Sequence, residues 1–588
     1  MLGSAPASAA SGFVSPARTD PNVPVLVSSP NVAPRGYRLT AAQVQRIAFG
    51  VSQIRAVVRR HRNSYPAEYT KGPGQWQVSW FTTAPGSVEI AQAYVDDATG
   101  RVTQAWTGFQ VAWTMARGYA GAFGRRVNAL YVWIPMCVLF VAPFAPWRRR
   151  RERSAGASRW AWSLFHLDLA MLLGFSISLA FFNHGQIGLS VPLVYPFLIY
   201  LLVRMVLLAF GKGVPRSPLR LVVPASWIAV AAVFLFGFRV GLNLINSNVI
   251  DVGYAGVVGA DKVLHGKPLY GGWPHDNAYG DTYGPVAYYA YIPFRALFGW
   301  SGSWDQLPAA HAAAIAFDLL TLLGLFVLGR RIRGPTLGIM LVYAWVAYPF
   351  TLFTLSSNTN DALVAMLIVL SLLVVSWAPA RGIAAALAGL TKFAPLALAP
   401  LLARGVGDSG GGGAGWPRRR SLAAYALSFA VTIVLVMLPV LLSHDLHAFW
   451  HDSIAYQAQR STPFSIWGLW GGLGAEQHLV QGAAAALALA VAFVPGRRRG
   501  LVEVAALAAA VLIALQLGVD YWLYPYIVWF FPLVITVLLA SHPAAGEGEA
   551  WRDGLADPGR RLQHLLDRVG PHRLAGPDQD PVEPRVLG

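Results

Sequence analysis

The sequence has little of several residue types on which soluble enzymes depend, and cysteine is the scarcest. Its 588 residues contain one cysteine, Cys137, inside an apolar run. A single cysteine forms no internal disulfide and no cysteine-ligated metal cluster. We therefore interpret Cys137 as a packing residue.

Charged residues and nucleotide-binding motifs are scarce as well. Only 13% of the residues are charged, and there is no Walker loop, dinucleotide glycine fingerprint or His-Glu-x-x-His zinc motif. We therefore predict no cofactor and no metal. The net charge of +18 would suit nucleic acid, but most lysines and arginines stand in short clusters beside apolar segments, where they set membrane orientation. The partner they indicate is membrane lipid, and no nucleic acid is expected.

Long apolar segments are what the sequence has in abundance. Hydrophobic residues make up 55% of the chain, and the mean hydropathy is +0.46. A helix needs about 20 apolar residues to cross a hydrocarbon core of about 30 Å, and such segments recur roughly a dozen times. Backbone groups in lipid must be paired within the segment, which favours helices. The predicted fold is an all-α polytopic membrane protein with about 11–13 transmembrane helices.

Two regions precede the first apolar span. Residues 1–37 show no periodicity, and we predict that they are disordered, with no apolar core of a signal peptide. Residues 38–120 are predicted to form a small α+β module, because an amphipathic helical pattern over 39–61 precedes alternating strands around the Asp-x-x-Thr-Gly turn at 96–100. This pattern resembles the PepSY-type modules found outside bacterial membranes. The resemblance implies a binding or regulatory role, with a passive folding cap as the alternative.

Basic clusters predict the orientation of the spans. Four transmembrane helices are predicted within 121–242, and the arginines of 148–153 place the end of the first in the cytoplasm. The N-terminal module and the loop 243–283 are then extracytoplasmic.

The rest of the membrane region is predicted over 284–540. It includes a second outer loop at 444–478, and a disordered cytoplasmic tail follows at 541–588. Segments 284–300 and 383–403 are ambiguous, because one is short and both carry a basic residue.

Two topologies follow from these ambiguous segments. If both are re-entrant, the arginine cluster at Arg330 lies inside and the polar knot Ser356–Asp361 lies outside; if both cross, these assignments reverse. The first is favoured because it agrees with the charge rule.

The loop 243–283 contains the densest group of acids beside a membrane segment. It carries Asp251, Asp261, Asp276 and Asp281, and Asp251 directly follows a span. An ionisable group at that depth is costly unless it is paired or wetted, so it is a functional candidate. Asp251 could accept a proton from an acceptor hydroxyl as general base, or it could cap the following helix. Asp261 and Asp281 are second-choice candidates for the catalytic acid or base, and the alternative for each is a structural role within the loop.

Two cations are candidates to hold an anionic leaving group. Lys392 and Arg460 each stand in a stretch with little other charge. Alternatively, the Lys392 side chain extends to the membrane–water interface, and Arg460 is an ordinary charged residue of a loop. His444, His447 and His451 share one helical face, but an interfacial helix with solvated histidines is favoured over a metal site.

Several short motifs occur in a characteristic order between about 230 and 540. They are Asp251-x-x-Tyr254, Tyr283-Gly284-Pro285, Asn360-Asp361, the run Leu390–Pro395 and Ser465-Ile466-Trp467-Gly468. Together they resemble the GT-C superfamily of polyprenyl-phosphate-sugar-dependent glycosyltransferases, in particular its GT87-type, mannosyltransferase-like branch. The resemblance implies an active site on the outer membrane face and an aspartate general base in the first loop.

Carried onto this sequence, the resemblance assigns the catalytic aspartate to Asp251. It assigns Tyr254 and Tyr270 to aromatic positions that shape the loop, and Asp281 and Tyr283 complete the substrate-binding candidates there. Three spans and the N-terminal module before Asp251 depart from the family pattern, and they leave a separate regulatory input open.

The predicted function is an inverting glycosyltransferase of the plasma membrane. It would transfer a mannose-like hexose or a pentose from a polyprenyl-phosphate-linked donor to an extracytoplasmic glycan or glycolipid acceptor. Asp251 would deprotonate the acceptor, while Lys392 or Arg460 binds the departing phosphate. The alternatives are a multi-span transporter or lipid-linked-sugar flippase, and a sensor whose N-terminal module binds a ligand.

Overall fold

The computed structural model describes residues 24–83, 87–146, 162–406, 418–460, 462–493 and 499–543. Predictions made for residues 1–23, for the arginines of 148–153 and for the tail beyond 543 lie outside the described residues. Within them the chain is mostly helical, with one small antiparallel sheet near the N-terminus. The predicted fold class is therefore confirmed.

The sheet consists of five strands in sequence order. They are β1 (Val25–Leu26), β2 (Tyr65–Thr70), β3 (Gln75–Phe81), β4 (Glu89–Asp96) and β5 (Val102–Thr107). The helices before the large loop are α1 (Ala41–Phe49), α2 (Ser52–Arg60), α3 (Phe109–Ala112), α4 (Gly118–Gly121), α5 (Leu130–Val141), α6 (Leu164–Asn183), α7 (Ile187–Ala209) and α8 (Ala225–Ile245).

The remaining helices begin in the predicted catalytic loop. They are α9 (Asp251–Leu264), α10 (Val286–Tyr289), α11 (Ile292–Phe298), α12 (Pro308–Arg333), α13 (Pro335–Ala347), α14 (Pro349–Ser356), α15 (Asp361–Leu373), α16 (Ala378–Gly389), α17 (Ala399–Arg404), α18 (Arg418–Leu442), α19 (Leu446–Phe449), α20 (Tyr456–Gln459), α21 (Ile466–Leu469), α22 (Gly474–Phe493), α23 (Leu501–Leu517) and α24 (Ile527–Ala540).

The N-terminal module packs α1 and α2 against the sheet. The apolar side chains predicted from helical and alternating patterns form its core, including Val44, Ile54, Trp76 and Val78, which are fully buried. Helix α1 begins with a capping box, in which Thr40 and the Gln43 side chain satisfy each other's backbone N–H groups.

Two predictions for this module are wrong in detail. The amphipathic pattern over 39–61 forms two helices, because the chain breaks at Gly50, a residue unfavourable in helix interiors. The predicted disorder of 1–37 does not extend to β1, which pairs with β2 through Val25 and Thr70. Two residues are too few to produce an alternating sequence pattern, so this strand gave no signal.

A buried carboxylate fixes the entry into α1. Asp97, in the predicted turn, accepts hydrogen bonds from the backbone N–H groups of Arg38 and Leu39 at 2.7 and 2.9 Å, and from Trp76 Nε1 at 2.9 Å. Burial acts to raise the pKa of Asp97, but these hydrogen bonds outweigh it and hold the pKa below its ordinary value. The turn thus joins the sheet to the first helix.

Long apolar helices form the bulk of the molecule. Among the described residues, five helices are long and apolar enough to cross a bilayer, namely α6, α7, α8, α12 and α18. Helices α13 and α14 are long and apolar enough when taken together, and they are bent by 59° at a break before Pro349, as in a broken span or a re-entrant loop. Five shorter apolar helices pack with them, so the chain is a multi-pass membrane protein.

Both ambiguous segments are interrupted. Residues 284–300 contain only the short helices α10 and α11, too short to cross a bilayer. Residues 378–404 form a hairpin: Gly389 packs on Leu396 near its tip, and Gly405 packs on the Arg381 guanidinium at its base. The two ends of the segment therefore lie close together, as a re-entrant path requires; the side of the membrane on which they lie stays a prediction. We call residues 378–404 the re-entrant hairpin.

A buried ion pair holds α8 against α12. Arg239 Nη2 and Asp318 Oδ1 lie 2.6 Å apart, with both side chains almost completely inaccessible. Trp345 Nε1 donates to the same carboxylate oxygen at 2.7 Å, and Arg239 donates to Thr351 Oγ1 at 2.9 Å. These bonds fix the end of α8, from which the chain leads to Asp251.

The polar knot 356–361 fastens the chain between α8 and α9. Asn358 adopts a left-handed backbone with φ of 50°, and its Nδ2 donates to Ser247 Oγ and to the Asn248 carbonyl, both at 3.0 Å. Asn243 Nδ2 donates to Asn358 Oδ1 at 2.8 Å. The segment before Asp251 is therefore held by side-chain amides of two helix ends.

Candidate active site

Asp251 is the first residue of α9, and the residue that caps the helix is Ile250. The Ile250 N–H donates to the Ser357 carbonyl at 3.3 Å, and Gly253 faces Asn358 so closely that any Cβ would clash with its carbonyl oxygen. A carboxylate in the first helical turn is stabilised by the helix dipole. The Asp251 side chain is also exposed, so stabilising the helix start does not prevent it from meeting a ligand.

Lys392 lies at the tip of the re-entrant hairpin and is held on two sides. Its Nζ donates to Asp361 Oδ1 at 2.6 Å, and Trp529 Nε1 donates to the same oxygen at 2.8 Å. Centroids of the Tyr283, Tyr526 and Trp529 rings lie 5.3, 5.4 and 5.3 Å from Nζ. An ammonium has three N–H donors, and within the described residues only one of them has a hydrogen-bond partner. Lys392 is positioned and still has donors for an anion.

Main-chain contacts join the hairpin tip to the chain directly after the loop 243–283. The Gly284 N–H donates to the Thr391 carbonyl at 3.3 Å, and the Val286 N–H donates to the Leu390 carbonyl at 3.1 Å. A Cβ at Gly284 would overlap the Leu390 backbone, so this position requires glycine. Two motifs that the sequence shows separately, Tyr283-Gly284-Pro285 and Leu390–Pro395, form one contact in the fold.

Arg460 supplies a second cation from the second predicted outer loop. Its guanidinium carbon lies 3.7 Å from the Tyr521 ring centroid and 5.7 Å from that of Tyr456. Such stacking holds a guanidinium flat while its edge remains open to planar or tetrahedral anions. The side chains of Arg460, Tyr521, Tyr526 and Tyr283 are all half-buried, as expected for the lining of a cleft.

The pKa of the Asp251 carboxyl is influenced by both candidate cations and by Asp361. Burial is the largest cause that raises the pKa of the Asp251 carboxyl above its ordinary value, and the negative charge of Asp361 adds to it. The Val252 N–H and the charges of Arg460 and Lys392 act in the opposite direction. The residue as a whole is nevertheless exposed to solvent, so a ligand can reach it. A carboxylate with a raised pKa is the stronger proton acceptor.

Three predicted substrate-binding residues have structural contacts instead. Tyr254 is fully buried and stacks on Trp304 at 4.9 Å. Tyr270 is buried, and its hydroxyl donates to the Tyr283 carbonyl at 2.9 Å. Asp281 is buried and accepts from the Gly271 N–H at 2.9 Å. These contacts shape the loop that presents Tyr283 and Asp251; their substrate contacts stay a prediction.

The other candidate groups have neighbours that fit a role in loop structure. Asp261 pairs with Arg295 at 2.6 Å. His451 Nδ1 lies 2.7 Å from Asp452 Oδ1, and within the described residues no three His, Cys, Asp or Glu side chains are gathered as a metal site requires.

Sequence reasoning missed four residues of this cluster: Asp361, Tyr521, Tyr526 and Trp529. Asp361 stood in the polar knot that the sequence singled out, and an acid opening a span was itself a usable signal. The tyrosines were attributed to the aromatic belt expected at a membrane interface. Trp529 carried no signal, because its role depends on a hydrogen bond to a residue 168 positions earlier.

Comparison with known proteins identifies most of this region. Residues 282–523, less than half of the chain, match Glycosyltransferase family 87. The matched region includes Lys392 and Arg460, whereas Asp251 lies before it. No curated protein matches the chain. The crystal structure of ArnT from Cupriavidus metallidurans bound to undecaprenyl phosphate is similar at 17% identity and a TM-score of 0.36. The alignment covers 58% of this chain and 64% of that chain, less than two thirds of its length.

Proposed function

We propose that this chain, a membrane glycosyltransferase of family 87 over residues 282–523, transfers a mannose-like hexose or a pentose from a polyprenyl-phosphate donor to an extracytoplasmic acceptor. One observation carries the proposal: a single exposed carboxylate with a raised pKa, Asp251, interacts with two cations, Lys392 and Arg460. A base and an anion-binding pair are the two requirements for displacing a phosphate from a sugar.

The reaction is a single displacement. The acceptor oxygen attacks the anomeric carbon and loses its proton to Asp251, while the bond between that carbon and the phosphate oxygen breaks. The polyprenyl phosphate leaves with the bonding electrons, and its charge is stabilised by Lys392 and Arg460. Because the attack comes from the face opposite the leaving group and no enzyme nucleophile takes part, the anomeric configuration is inverted.

The charge pattern supports an active site on the outer face of the plasma membrane. Helix α12 ends in Arg330, Arg331 and Arg333, which the positive-inside rule assigns to the cytoplasm. Its first residue, Pro308, follows the loop that contains Asp251, and the Trp304 side chain there donates to the Val249 carbonyl at 3.0 Å. The catalytic loop therefore lies at the end of α12 opposite the arginines.

The test is a purified Asp251→Asn variant assayed with radiolabelled polyprenyl-phosphate mannose in lipid nanodiscs. We expect kcat to fall at least about a hundredfold, the scale of a lost general base, while the donor still binds. Asp452→Asn, which neutralises a partly exposed acid of the second outer loop, is the matched control and should keep its activity. Normal transfer by Asp251→Asn would refute the assignment of the base.

A further inference from the structure

A cavity of 1340 Å³ lies beside the chain segment that leads to the proposed general base. The chain from Ser247 to Val249 forms one wall, and Asp276 lines it as well. The residue after Asp276, Asn277, donates from Nδ2 to the Asp251 carbonyl at 3.0 Å. The lining reaches Val249, two residues before Asp251, and includes neither Lys392 nor Arg460, so the cavity is separate from the two candidate phosphate-binding cations.

One end of the cavity is polar and carries no net charge. Two cations, Lys71 and Arg125, are balanced there by two acids, Asp276 and Asp305, with Gln306 beside them. A mixture of donors and acceptors without excess charge suits an uncharged ligand rich in hydroxyl groups, because each hydroxyl both donates and accepts.

The other end is apolar and follows membrane-spanning helices. Leu244 of α8 and Ile315, Ala316 and Leu319 of α12 line it, and both helices are long and apolar enough to span a bilayer. Leu319 lies 11 residues beyond the start of α12, or about 17 Å along its axis at 1.5 Å per residue. The cavity therefore runs from a polar end along the apolar side chains of two helices that are long enough to span a bilayer.

We propose that this cavity binds the acceptor as a lipid-anchored saccharide, an inference that rests on the proposed function. The saccharide occupies the polar end, beside the segment that leads to Asp251, and the lipid chain lies along α12 toward Leu319. The volume exceeds the roughly 300–1,000 Å³ of pockets for drug-sized ligands, as a headgroup together with part of a chain requires.

The N-terminal module forms one wall over the headgroup. Pro24 and Lys71 both belong to the module and line the cavity. Lys71 is positioned in advance, since its Nζ donates to the Tyr94 hydroxyl at 3.1 Å and lies 4.9 Å from the ring centroid. The module thereby acquires a role in acceptor recognition beyond that of a folding cap.

Photocrosslinking tests the cavity without requiring transfer. A photoreactive benzoylphenylalanine is placed at Leu319, which lines the cavity, or at its neighbour Leu320, which does not. Both side chains are exposed, 40% and 48% respectively. In nanodiscs, tritiated dodecyl mannoside should label the Leu319 variant at least tenfold more than the Leu320 variant. Unlabelled dodecyl mannoside should compete and methyl mannoside should not. Equal labelling at both positions, or equal competition by methyl mannoside, would overturn the proposal.

Kinetics test the same cavity in the transferase. Ala316→Trp fills the apolar end, so the KM for dodecyl mannoside should rise at least tenfold while the KM for the donor does not change. Leu320→Trp should change neither constant. An unchanged acceptor KM in Ala316→Trp would overturn the proposal. If the wild-type enzyme transfers no sugar to any acceptor, the proposed function fails instead, and the crosslinking result decides this inference alone.

The module wall has its own matched pair. Lys71→Ala removes a donor at the headgroup and should raise the acceptor KM about tenfold, the scale of a hydrogen bond from a charged group. Arg59→Ala removes an exposed cation elsewhere on the module and should leave it unchanged. Equal effects of the two substitutions on the acceptor KM would refute a contact between the module and the acceptor.

Discussion

Two ion pairs in the membrane region, Arg239–Asp318 and Lys392–Asp361, use the same chemistry in different surroundings. Their closest nitrogen–oxygen distances are both 2.6 Å, and in each pair a tryptophan N–H donates to the same carboxylate oxygen. Arg239, however, is enclosed by the backbone and a hydroxyl of α13 and α14, whereas the partly exposed tyrosines around Lys392 lead to the exposed Asp251.

The difference shows that an intramembrane charge is not by itself a sign of a reacting group. A charged side chain with a functional role has hydrogen-bond donors without a protein partner and lies where a ligand can reach it. A charged side chain with a structural role is enclosed by protein groups and has no access to a ligand. The two classes should respond differently to the same substitutions.

The largest effect is expected for the structural pair. Arg239→Leu leaves the Asp318 carboxylate buried without its partner, which typically costs about 3–5 kcal/mol of folding stability. The double variant Arg239→Leu/Asp318→Leu should recover most of that loss. Thermal unfolding in detergent measures both, and a single variant as stable as the wild type would break the comparison.

For the Lys392–Asp361 pair we expect a loss of transfer activity that a second substitution at Asp361 does not restore. Lys392→Ala should lower kcat/KM about 100- to 1,000-fold, since a positioned donor to developing charge is worth about 2.7–4 kcal/mol. Unlike the first pair, Lys392→Ala/Asp361→Ala should stay as impaired as Lys392→Ala, because only Arg460 of the two proposed cations then remains for the phosphate. Sugar-transfer assays on folded protein decide this, and activity recovered in the double variant would assign Lys392 a structural role.

A smaller effect is expected at the second cation. Tyr521→Leu removes the ring on which Arg460 stacks, and a cation–π contact is worth about 0.5–2 kcal/mol. The KM for the donor should rise about 3- to 30-fold, whereas Tyr521→Phe keeps the ring and should stay close to the wild type. If both variants behave alike, the stacking does not position Arg460.

The smallest effect concerns pH. Asp251 must be deprotonated to act as a base, so activity should rise as the pH passes upward through its pKa. The positive charge of Arg460 lowers the pKa of Asp251, so Arg460→Ala should raise that pKa and shift the acidic limb of the profile to higher pH. The residual kcat/KM of the variant, measured as a function of pH, reports this shift. No shift, or a shift to lower pH, would show that the charge of Arg460 does not act on Asp251.

The fold class could be predicted because apolar length and alternation are local properties of the sequence. The break of the 39–61 pattern at Gly50 has a local cause as well, since glycine is unfavourable in helix interiors. For residues 378–404 the charge rule favoured a re-entrant path, but the position of the turn at Lys392 depends on packing between Gly389 and Leu396 and between Arg381 and Gly405, which only the folded chain brings together.

The candidate site was predictable one residue at a time. Asp251, Lys392 and Arg460 were found because a charge beside an apolar segment is conspicuous. Their grouping was not, since it joins a loop, the hairpin tip and the second outer loop across more than 200 positions of sequence. Asp361 was noted only as part of the Asn360-Asp361 motif, and its contacts with Lys392 and Trp529 follow from that grouping, so they were not predicted.

The contact between Gly284 and the hairpin tip has a consequence for sequence divergence. The two segments are joined by main-chain hydrogen bonds, from Gly284 to Thr391 and from Val286 to Leu390, and such bonds are available to almost any residue. Side chains along both segments can therefore drift while the spacing between the base and the phosphate cation persists. Apart from Lys392 itself, the residue that this contact requires is Gly284, so distant relatives with the same spacing should share Gly284 even where most neighbouring residues differ.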